Sequence, residues 1–319
     1  MVTSGPGSAE AMTTMGPTAM DAPEDPLEVT EAELRRMVEQ QFPEWAGLPL
    51  ERVGVSGTEN ALFRLGAELA VRLPLSRGSA PQVEKERRWL PWLSVRLPQS
   101  IPVPVALGRP TSTYPSPWSI CRWIPGRSLR SRPPADEEEL ARQLGRFVRC
   151  LAHLDAREGP APGAHNFFRG VALADRDRLT RSSIQECGAF FDPAALLGCW
   201  ERDARAPAWT GAPVWIHGDL TPDNLVARDG RLAGVIDWGG LGVGDPATDL
   251  LPAWNLFDGG ARELYREQLG VDDAAWRRGR GLALSVAVVA LPFYLGRNDA
   301  LVENSTRVIE QVLMEHAQD

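Results

Sequence analysis

The sequence predicts an α+β fold in two lobes, a small β-rich N-terminal lobe and a larger, mostly helical C-terminal lobe. Short apolar strands with turn residues between them dominate residues 52–124, whereas long helical patterns dominate after residue 135. With 319 residues, of which 43% are hydrophobic, the chain can form one large core or two modest ones. We therefore place the N-terminal lobe at residues 27–124 and the C-terminal lobe at residues 125–319.

The N-terminal lobe begins with a strand, turn and strand between Arg52 and Leu65, with Ser56-Gly57 at the turn. A second strand follows at Leu69–Leu73. The segment from Pro81 is helical in pattern, and we expect Pro91 to kink or end that helix.

The apolar strand Trp118–Ile124 ends at Pro125-Gly126, and the pattern becomes helical after it. Asp136 is a predicted cap for the next helix, because three glutamates follow it in the first turn. The apolar face of this helix is formed by Leu140, Leu144, Phe147, Leu151 and Leu154.

A β-hairpin is predicted further along the C-terminal lobe. The short strand Val214–Ile216 precedes it, and its own strands are Leu225–Ala227 and Leu232–Ile236. Asp229-Gly230 is a tight turn, since that pair tolerates the positive φ angles of a two-residue connection. The outer ends of the hairpin therefore lie at one edge.

The apolar segment Gly281–Gly296 is too short for a transmembrane helix, which needs roughly 20 residues, and it contains Pro292. We predict a buried helix and no membrane association. Residues 1–26 have neither the basic start nor the apolar core of a signal peptide.

Composition bounds the partners and the compartment. Residues 1–26 are rich in small residues and proline, which predicts a disordered tail. This tail supplies four of the eight net negative charges, so the lobes carry about −4 and nucleic acid is not an expected partner. The four cysteines lack metal-ligand spacing and a disulfide framework, which favours reduced thiols in the cytoplasm.

The segment that carries chemistry is His217-Gly218-Asp219 with Asn224, followed after the hairpin by Asp237. Asp219 can accept a proton from a hydroxyl nucleophile, whereas Asn224 and Asp237 can hold divalent metal against nucleotide phosphates. An isolated aspartate is more often a turn former or a helix cap. The joint pattern nevertheless indicates phosphoryl transfer from a metal-bound nucleotide.

These motifs, together with Gly242-Val243-Gly244-Asp245-Pro246 and Asp249, resemble those of the aminoglycoside and macrolide phosphotransferases. These antibiotic kinases share a bilobal protein-kinase-like fold, and the resemblance extends over nearly everything after residue 26. It implies a catalytic aspartate, two Mg²⁺ ligands and two residues that brace the loop, which are respectively Asp219, Asn224 and Asp237, and His217 and Asp249.

The resemblance also assigns nucleotide-binding parts to the N-terminal lobe. Ser56 and Gly57 lie where a flexible phosphate-covering loop is expected, although turn chemistry alone also explains a glycine there. Arg72 stands where protein kinases have the lysine that binds the phosphates. The alternative interpretation is that Arg72 is an exposed strand residue. Glu86 is preferred to Glu84 as the carboxylate that pairs with Arg72.

The strand before Pro125-Gly126 resembles the hinge of this family. Backbone groups around Cys121 and Trp123 are expected to bind the purine of ATP or GTP, and the sequence does not choose between them. The donor is then a nucleoside triphosphate, and the acceptor is a small hydroxylated molecule.

The sequence does not identify the acceptor. Trp254, Asp258 and Glu263 are candidate pocket residues, suited to an amine-bearing sugar or a peptide antibiotic, or else they form a helix interface and its solvated edge. The favoured function is antibiotic phosphorylation that confers resistance. The alternatives are a kinase for an amino alcohol, a sugar or homoserine, and a catalytically silent nucleotide-binding module.

Overall fold

The computed structural model describes residues 27–54 and 59–319. The predicted tail at residues 1–26 and the turn residues Ser56 and Gly57 lie outside the described residues. Contacts divide the described chain into two units. The N-terminal unit comprises the described residues up to Arg127 together with Ala233–Asp237, and the C-terminal unit comprises Ser128–Leu232 and Trp238–Asp319.

The N-terminal unit is built on one antiparallel sheet with two helices. Its elements are α1 (Glu31–Gln41), β1 (Leu50–Arg52), β2 (Asn60–Leu65), β3 (Leu69–Pro74), α2 (Ala80–Ser94), β4 (Pro104–Gly108) and β5 (Trp118–Arg122). The strand order is β1-β2-β3-β5-β4, and every neighbouring pair is antiparallel. Strand β3 is central and all six of its residues are buried. A side chain on β3 is therefore held inside the unit.

Helix α2 shows how burial resolves the effect of a proline. The sequence left open whether Pro91 kinks or ends this helix, and the structure shows that the helix continues to Ser94. Leu90 and Leu93 are both fully buried. Their packing stabilises the last turn although Pro91 cannot donate a backbone hydrogen bond.

The chain from Arg127 onward is mostly helical. Its elements are β6 (Arg127–Ser128), α3 (Glu137–Ala152), α4 (Leu173–Glu186), α5 (Pro193–Ala204), β7 (Val214–Ile216), β8 (Leu225–Arg228), β9 (Arg231–Val235), β10 (Gly242–Gly244), α6 (Pro252–Asn255), α7 (Gly259–Leu269), α8 (Asp273–Tyr294) and α9 (Asp299–His316). The predicted cap is confirmed, because the Asp136 side chain accepts the backbone N–H of Glu139 at 2.9 Å. The predicted α+β class is likewise confirmed.

The apolar segment near the C-terminus is helical as expected, but only its first part is fully buried, because residues 292–294 are partly exposed and Leu295 and Gly296 are exposed beyond the helix end. Helix α8 contains it up to Tyr294, and the residues from Gly281 to Ser285 are all buried. Among residues 27–54 and 59–319, no helix is both long and apolar enough to span a membrane.

The predicted hairpin is present as strands β8 and β9, which form a sheet with β6 in the order β6-β8-β9. Asp229 and Gly230 have φ angles of 51° and 76°, as the predicted turn requires. One expectation needs correction, because the C-terminal lobe was predicted as a continuous segment. Ser100 N–H donates to Ala233 O and Val235 N–H donates to Ser100 O, so residues 233–237 belong to the N-terminal unit.

Candidate active site

The predicted catalytic loop, which we call the catalytic loop below, lies in the C-terminal unit and runs from His217 to Asn224, between the end of β7 and the start of β8. Gly218 has a φ of +84°, in the left-handed region that favours glycine. A Cβ atom at this position would lie 2.5 Å from the carbonyl oxygen of Gly240. The backbone of this loop is therefore tightly packed, and position 218 requires glycine.

Asp249 braces the start of this loop. Its Oδ2 accepts the His217 N–H at 2.7 Å, and its Oδ1 accepts the Gly218 N–H at 2.8 Å. Burial raises the pKa of Asp249 to about 6, although the two backbone hydrogen bonds act in the opposite direction. The Tyr265 hydroxyl donates to the Asp249 carbonyl at 2.7 Å, which fixes the brace in turn.

His217 is placed beside the predicted catalytic aspartate. Its Nδ1 accepts the backbone N–H of Asp219 at 3.2 Å, and its ring centroid lies 4.7 Å from that of Trp238. His217 is fully buried. The predicted supporting residues His217 and Asp249 thus both contact the loop backbone.

Asp219 and Asn224 are in direct contact. Asn224 Nδ2 donates to Asp219 Oδ2 and to the Asp219 carbonyl, both at 2.9 Å. This contact orients the carboxylate of Asp219. The same contact fixes the orientation of the Asn224 amide. Because only its nitrogen takes part, its oxygen can act as a cation ligand.

The N-terminal unit places Arg72 between two carboxylates. Arg72 NH1 donates to Glu86 Oε2 at 2.5 Å, and Arg72 NH2 lies 3.6 Å from Asp237 Oδ1. Arg72 is buried, so the alternative of an exposed strand residue is wrong. Burial alone would lower the pKa of Arg72, but the charges of Glu86 and Asp237 outweigh burial and raise that pKa. Glu84 pairs instead with Arg87 at the exposed surface of α2.

Asp237 follows the last strand residue, Val235, by two positions and has a φ of 59°, unusual for a residue with a side chain. Its Oδ1 is buried and accepts no hydrogen bond in the described part of the chain. This oxygen faces the Arg72 guanidinium at 3.6 Å without a hydrogen bond, so it keeps lone pairs for a hard divalent cation. Mg²⁺ commonly uses one or two protein groups with phosphate and water oxygens. Within the described residues, no three His, Cys, Asp or Glu side chains gather into a metal-binding cluster.

Two groups of the hinge candidates, the Cys121 thiol and the Trp123 N–H, already donate hydrogen bonds to backbone carbonyls. The Cys121 thiol is buried and donates to the Ala70 carbonyl at 3.6 Å, and burial raises its pKa to about 12. The Trp123 N–H donates to the Glu68 carbonyl at 2.8 Å, and the guanidinium of Arg64 lies 5.1 Å from the Trp123 ring centroid. A purine contact at this hinge therefore cannot use the amide of Trp123.

The three acceptor candidates have different environments. Trp254 is fully buried, and its Nε1 donates to Glu315 at 2.7 Å, so it forms part of a helix interface and not a pocket wall. Asp258 precedes α7 and lies 3.5 Å from Arg307. Glu263 is exposed on α7. The sequence could not distinguish these cases, because an aromatic residue beside acidic residues fits both interpretations.

Two contacts to the catalytic loop were not predicted. Asn255 Nδ2 donates to the Leu220 carbonyl at 2.8 Å, and Arg130 Nε donates to Asp223 Oδ2 at 2.7 Å. Both residues are far from the loop in sequence and lie in no recognisable motif. The one sequence signal for Asn255 is that it follows Asp249, which is predicted to support the loop, by six residues.

This fold, with a braced catalytic loop and a buried arginine–glutamate pair, defines a kinase-like phosphotransferase. The family model described as the phosphotransferase enzyme family matches residues 51–282, and the chain belongs to this family.

Relatives of known name agree with this class. An aminoglycoside 3'-phosphotransferase from Escherichia coli is 25% identical over 236 residues, which cover 70% of this chain and 83% of that protein. The viomycin phosphotransferase of Streptomyces vinaceus is 31% identical over 164 residues, which cover 47% of this chain and 53% of that protein.

Solved structures show the same fold. The GDP complex of aminoglycoside 2'-phosphotransferase-IIIa matches with a TM-score of 0.70 at 20% identity, covering 90% of this chain and all of that chain (100%). A macrolide 2'-phosphotransferase from Brachybacterium faecium, solved as the apoenzyme, matches with a TM-score of 0.59 at 21% identity. The match covers 86% of this chain and 96% of that chain. At these identities the likeness establishes the fold.

Proposed function

We propose that this protein phosphorylates a hydroxyl of a small-molecule antibiotic with the γ-phosphate of ATP or GTP, and thereby confers resistance in the cytoplasm. The observation that carries the proposal is the contact of Asn224 with Asp219 in a loop that Asp249 holds by two backbone hydrogen bonds. Phosphoryl transfer to a hydroxyl uses a positioned aspartate as proton acceptor and an asparagine as metal ligand, and this contact supports both roles.

Asp219 is the proposed catalytic residue. The Asn224 amide fixes its rotamer, and the His217 ring supports its backbone, so the carboxylate is preorganised to take the proton of the acceptor hydroxyl. General-base assistance of this kind contributes about 10²- to 10⁴-fold. Most of the remaining acceleration comes from positioning and charge neutralisation, because the transition state is loose.

Asn224 and Asp237 are the proposed ligands of Mg²⁺. The orientation of the Asn224 amide suits this role, and so does Asp237 Oδ1, which accepts no hydrogen bond from the described residues. When bound, Mg²⁺ neutralises charge on the nucleotide phosphates. Its remaining ligands are then phosphate and water oxygens.

The donor side of the proposal rests on the N-terminal unit. Arg72, fixed by Glu86, offers positive charge to the phosphates, and the segment around Ser56 and Gly57 is the proposed phosphate cover. The backbone around Cys121, apart from the Trp123 amide, is the proposed purine contact.

The acceptor class follows from the relatives, whose names specify aminoglycosides, viomycin and macrolides as substrates. Asp258 and Glu263 are carboxylates at the surface of the C-terminal unit, and an amine-bearing acceptor would suit them. Trp254 is not part of the proposed acceptor site, because it is fully buried and hydrogen-bonded to Glu315.

The test is a screen of aminoglycosides, peptide antibiotics, macrolides and hydroxylated metabolites with Mg²⁺ and either ATP or GTP, with product detected by mass spectrometry. We expect a phosphorylated antibiotic, and we expect Asp219→Asn to abolish turnover while nucleotide binding by calorimetry stays nearly unchanged. Product from metabolites alone would assign the protein to metabolism. Absence of product from every acceptor, or full turnover by Asp219→Asn, would contradict the proposal.

A further inference from the structure

The only lysine of the chain lies on the face of α2 that carries the buried arginine's partner. Gln82, Lys85 and Glu86 have helical spacings of three and four, so they share one face. Gln82 Nε2 donates to Glu59 Oε2 at 2.6 Å, and Glu86 Oε2 accepts from Arg72 at 2.5 Å. Lys85 therefore lies between two contacts that hold this face of α2 against the sheet.

The charged groups that act on Lys85 agree with this location. Burial lowers the pKa of Lys85 to about 8, while the charges of Glu86, Glu59 and Asp237 oppose that change. These carboxylates therefore lie close enough to act on the ammonium group. The same Asp237 faces Arg72.

The formal charges of this cluster show what Lys85 contributes. Arg72 and Lys85 carry two positive charges, and Glu59, Glu86 and Asp237 carry three negative charges, so the net charge is −1. Without Lys85 the net charge would be −2. Loss of Lys85 makes the cluster one unit more negative whether or not Mg²⁺ is bound at Asp237, and therefore less favourable to the polyanionic phosphates of a nucleoside triphosphate.

Arg72 alone is poorly placed to offset this negative charge. Its NH1 is bound to Glu86 and its NH2 faces Asp237, and the guanidinium is buried. Its rigid fork is therefore largely committed to carboxylates. Lys85 is only partly buried and carries its charge on a flexible four-carbon stem with three donors.

We propose that Lys85 is a nucleotide-binding residue, which supplies from helix α2 the phosphate-binding ammonium that strand β3 lacks. Arg72 then contributes its charge from a fixed position between Glu86 and Asp237, whereas Lys85 makes the direct phosphate contact. The inference rests on the proposed function, since it requires a nucleoside triphosphate in the N-terminal unit.

The test measures the affinity for Mg²⁺ with β,γ-imido-ATP, β,γ-imido-GTP and AMP by titration calorimetry. Lys85→Ala is expected to weaken binding of the preferred triphosphate analogue by at least about tenfold, because a charge-assisted contact is lost. Binding of AMP should change little, and Lys85→Arg should restore most of the affinity. Arg87→Ala is the matched control, since it removes one positive charge from the exposed surface of α2.

Acetylation of the unmodified protein gives a second measurement that does not depend on the folding of a variant. Lys85 provides the only side-chain amine, and the α-amino group is an internal reference in the same mass spectrum. We expect the triphosphate analogue with Mg²⁺ to slow acetylation of Lys85, and AMP to leave the rate unchanged. Equal acetylation with and without the analogue would overturn the assignment.

The two levels of inference fail differently. If the unmodified protein binds no nucleotide, the proposed function is wrong. If it binds the analogue and Lys85→Ala weakens that binding by less than about twofold, only the role of Lys85 is wrong.

Discussion

Asp249 accepts two successive backbone N–H groups with its two carboxylate oxygens, while it is almost completely buried in the C-terminal unit. The hydrogen bonds favour the charged carboxylate and burial disfavours it, and burial has the larger effect on its pKa. A residue that determines the geometry of the catalytic loop is thus also a source of pH-dependent stability.

We predict how this residue changes the free energy of unfolding with pH. Its pKa rises from 3.8 in the unfolded chain to about 6 in the fold. The folded state therefore binds the extra proton between these values, and the stability that this provides is lost as pH rises through about 6. The total effect is roughly 3 kcal/mol.

Urea unfolding of the native protein and Asp249→Asn at a series of pH values checks this prediction. The stability of the native protein relative to Asp249→Asn should fall from about pH 4 to about pH 6 and then level off. A difference that is constant with pH, or that rises, would contradict it. Asp192→Asn, at an exposed helix cap, serves as a control.

At the scale of elements, short segments from distant parts of the chain hold the catalytic loop in place. Helix α6 ends at Asn255, whose amide donates to the Leu220 carbonyl, and the segment after β6 contributes Arg130 to Asp223. The tight packing of Gly218 against Gly240 completes the arrangement. Each contact restricts a backbone position next to a residue that the proposed reaction uses.

We predict that Asn255→Ala lowers kcat by roughly tenfold and leaves the KM for nucleotide unchanged. The physical reason is that the buried Leu220 carbonyl loses its donor, which costs about 1–3 kcal/mol and loosens the position of Asp219. Steady-state kinetics on an acceptor found in the screen gives the measurement. Asp192→Ala should lower stability by about 1 kcal/mol without affecting kcat, because it removes only a helix cap. Unchanged kcat in Asn255→Ala would contradict the prediction.

At the scale of the whole molecule, three helices of the C-terminal unit are joined by a buried ionic network. Asp203 of α5 is fully buried and accepts three hydrogen bonds from Arg280 of α8. Nε lies 3.3 Å from Oδ1 and 3.0 Å from Oδ2, and NH2 lies 3.0 Å from Oδ1. His316 of α9 lies 3.0 Å from the same carboxylate. Glu315 of α9 accepts from Arg280 at 3.1 Å and from the Trp254 and Trp276 rings, each at 2.7 Å.

We predict that Asp203→Ala lowers the free energy of unfolding by about 3–5 kcal/mol, since it leaves a buried arginine without its main partner. Glu201→Ala on the same helix removes only the exposed pair with Arg181, at 2.9 Å, and should cost less than about 1 kcal/mol. Urea denaturation of both variants checks this contrast. Similar losses in the two variants would show that the buried network has no special weight.

The fold class and the hairpin turn were predictable because local patterns determine them, whereas the pairing of Glu86 with Arg72 was implied by the family resemblance. Turn residues such as Asp229-Gly230 act over two positions, and helical spacing favoured Glu86 over Glu84. The family motifs also assigned Asp219, Asn224 and Asp249 to one catalytic loop and its support. The contact of Asn224 with Asp219 and the brace from Asp249 then proved to be direct hydrogen bonds.

Packing decided the rest. Whether Trp254 lined a pocket or a helix interface depended on Glu315 and Trp276, which come much later in the chain. The same holds for the donation of Asn255 to Leu220, and for the assignment of residues 233–237 to the N-terminal unit. Local chemistry thus specified the elements and the reacting groups, whereas long-range burial and hydrogen bonding, which no short segment encodes, decided which side chains support them.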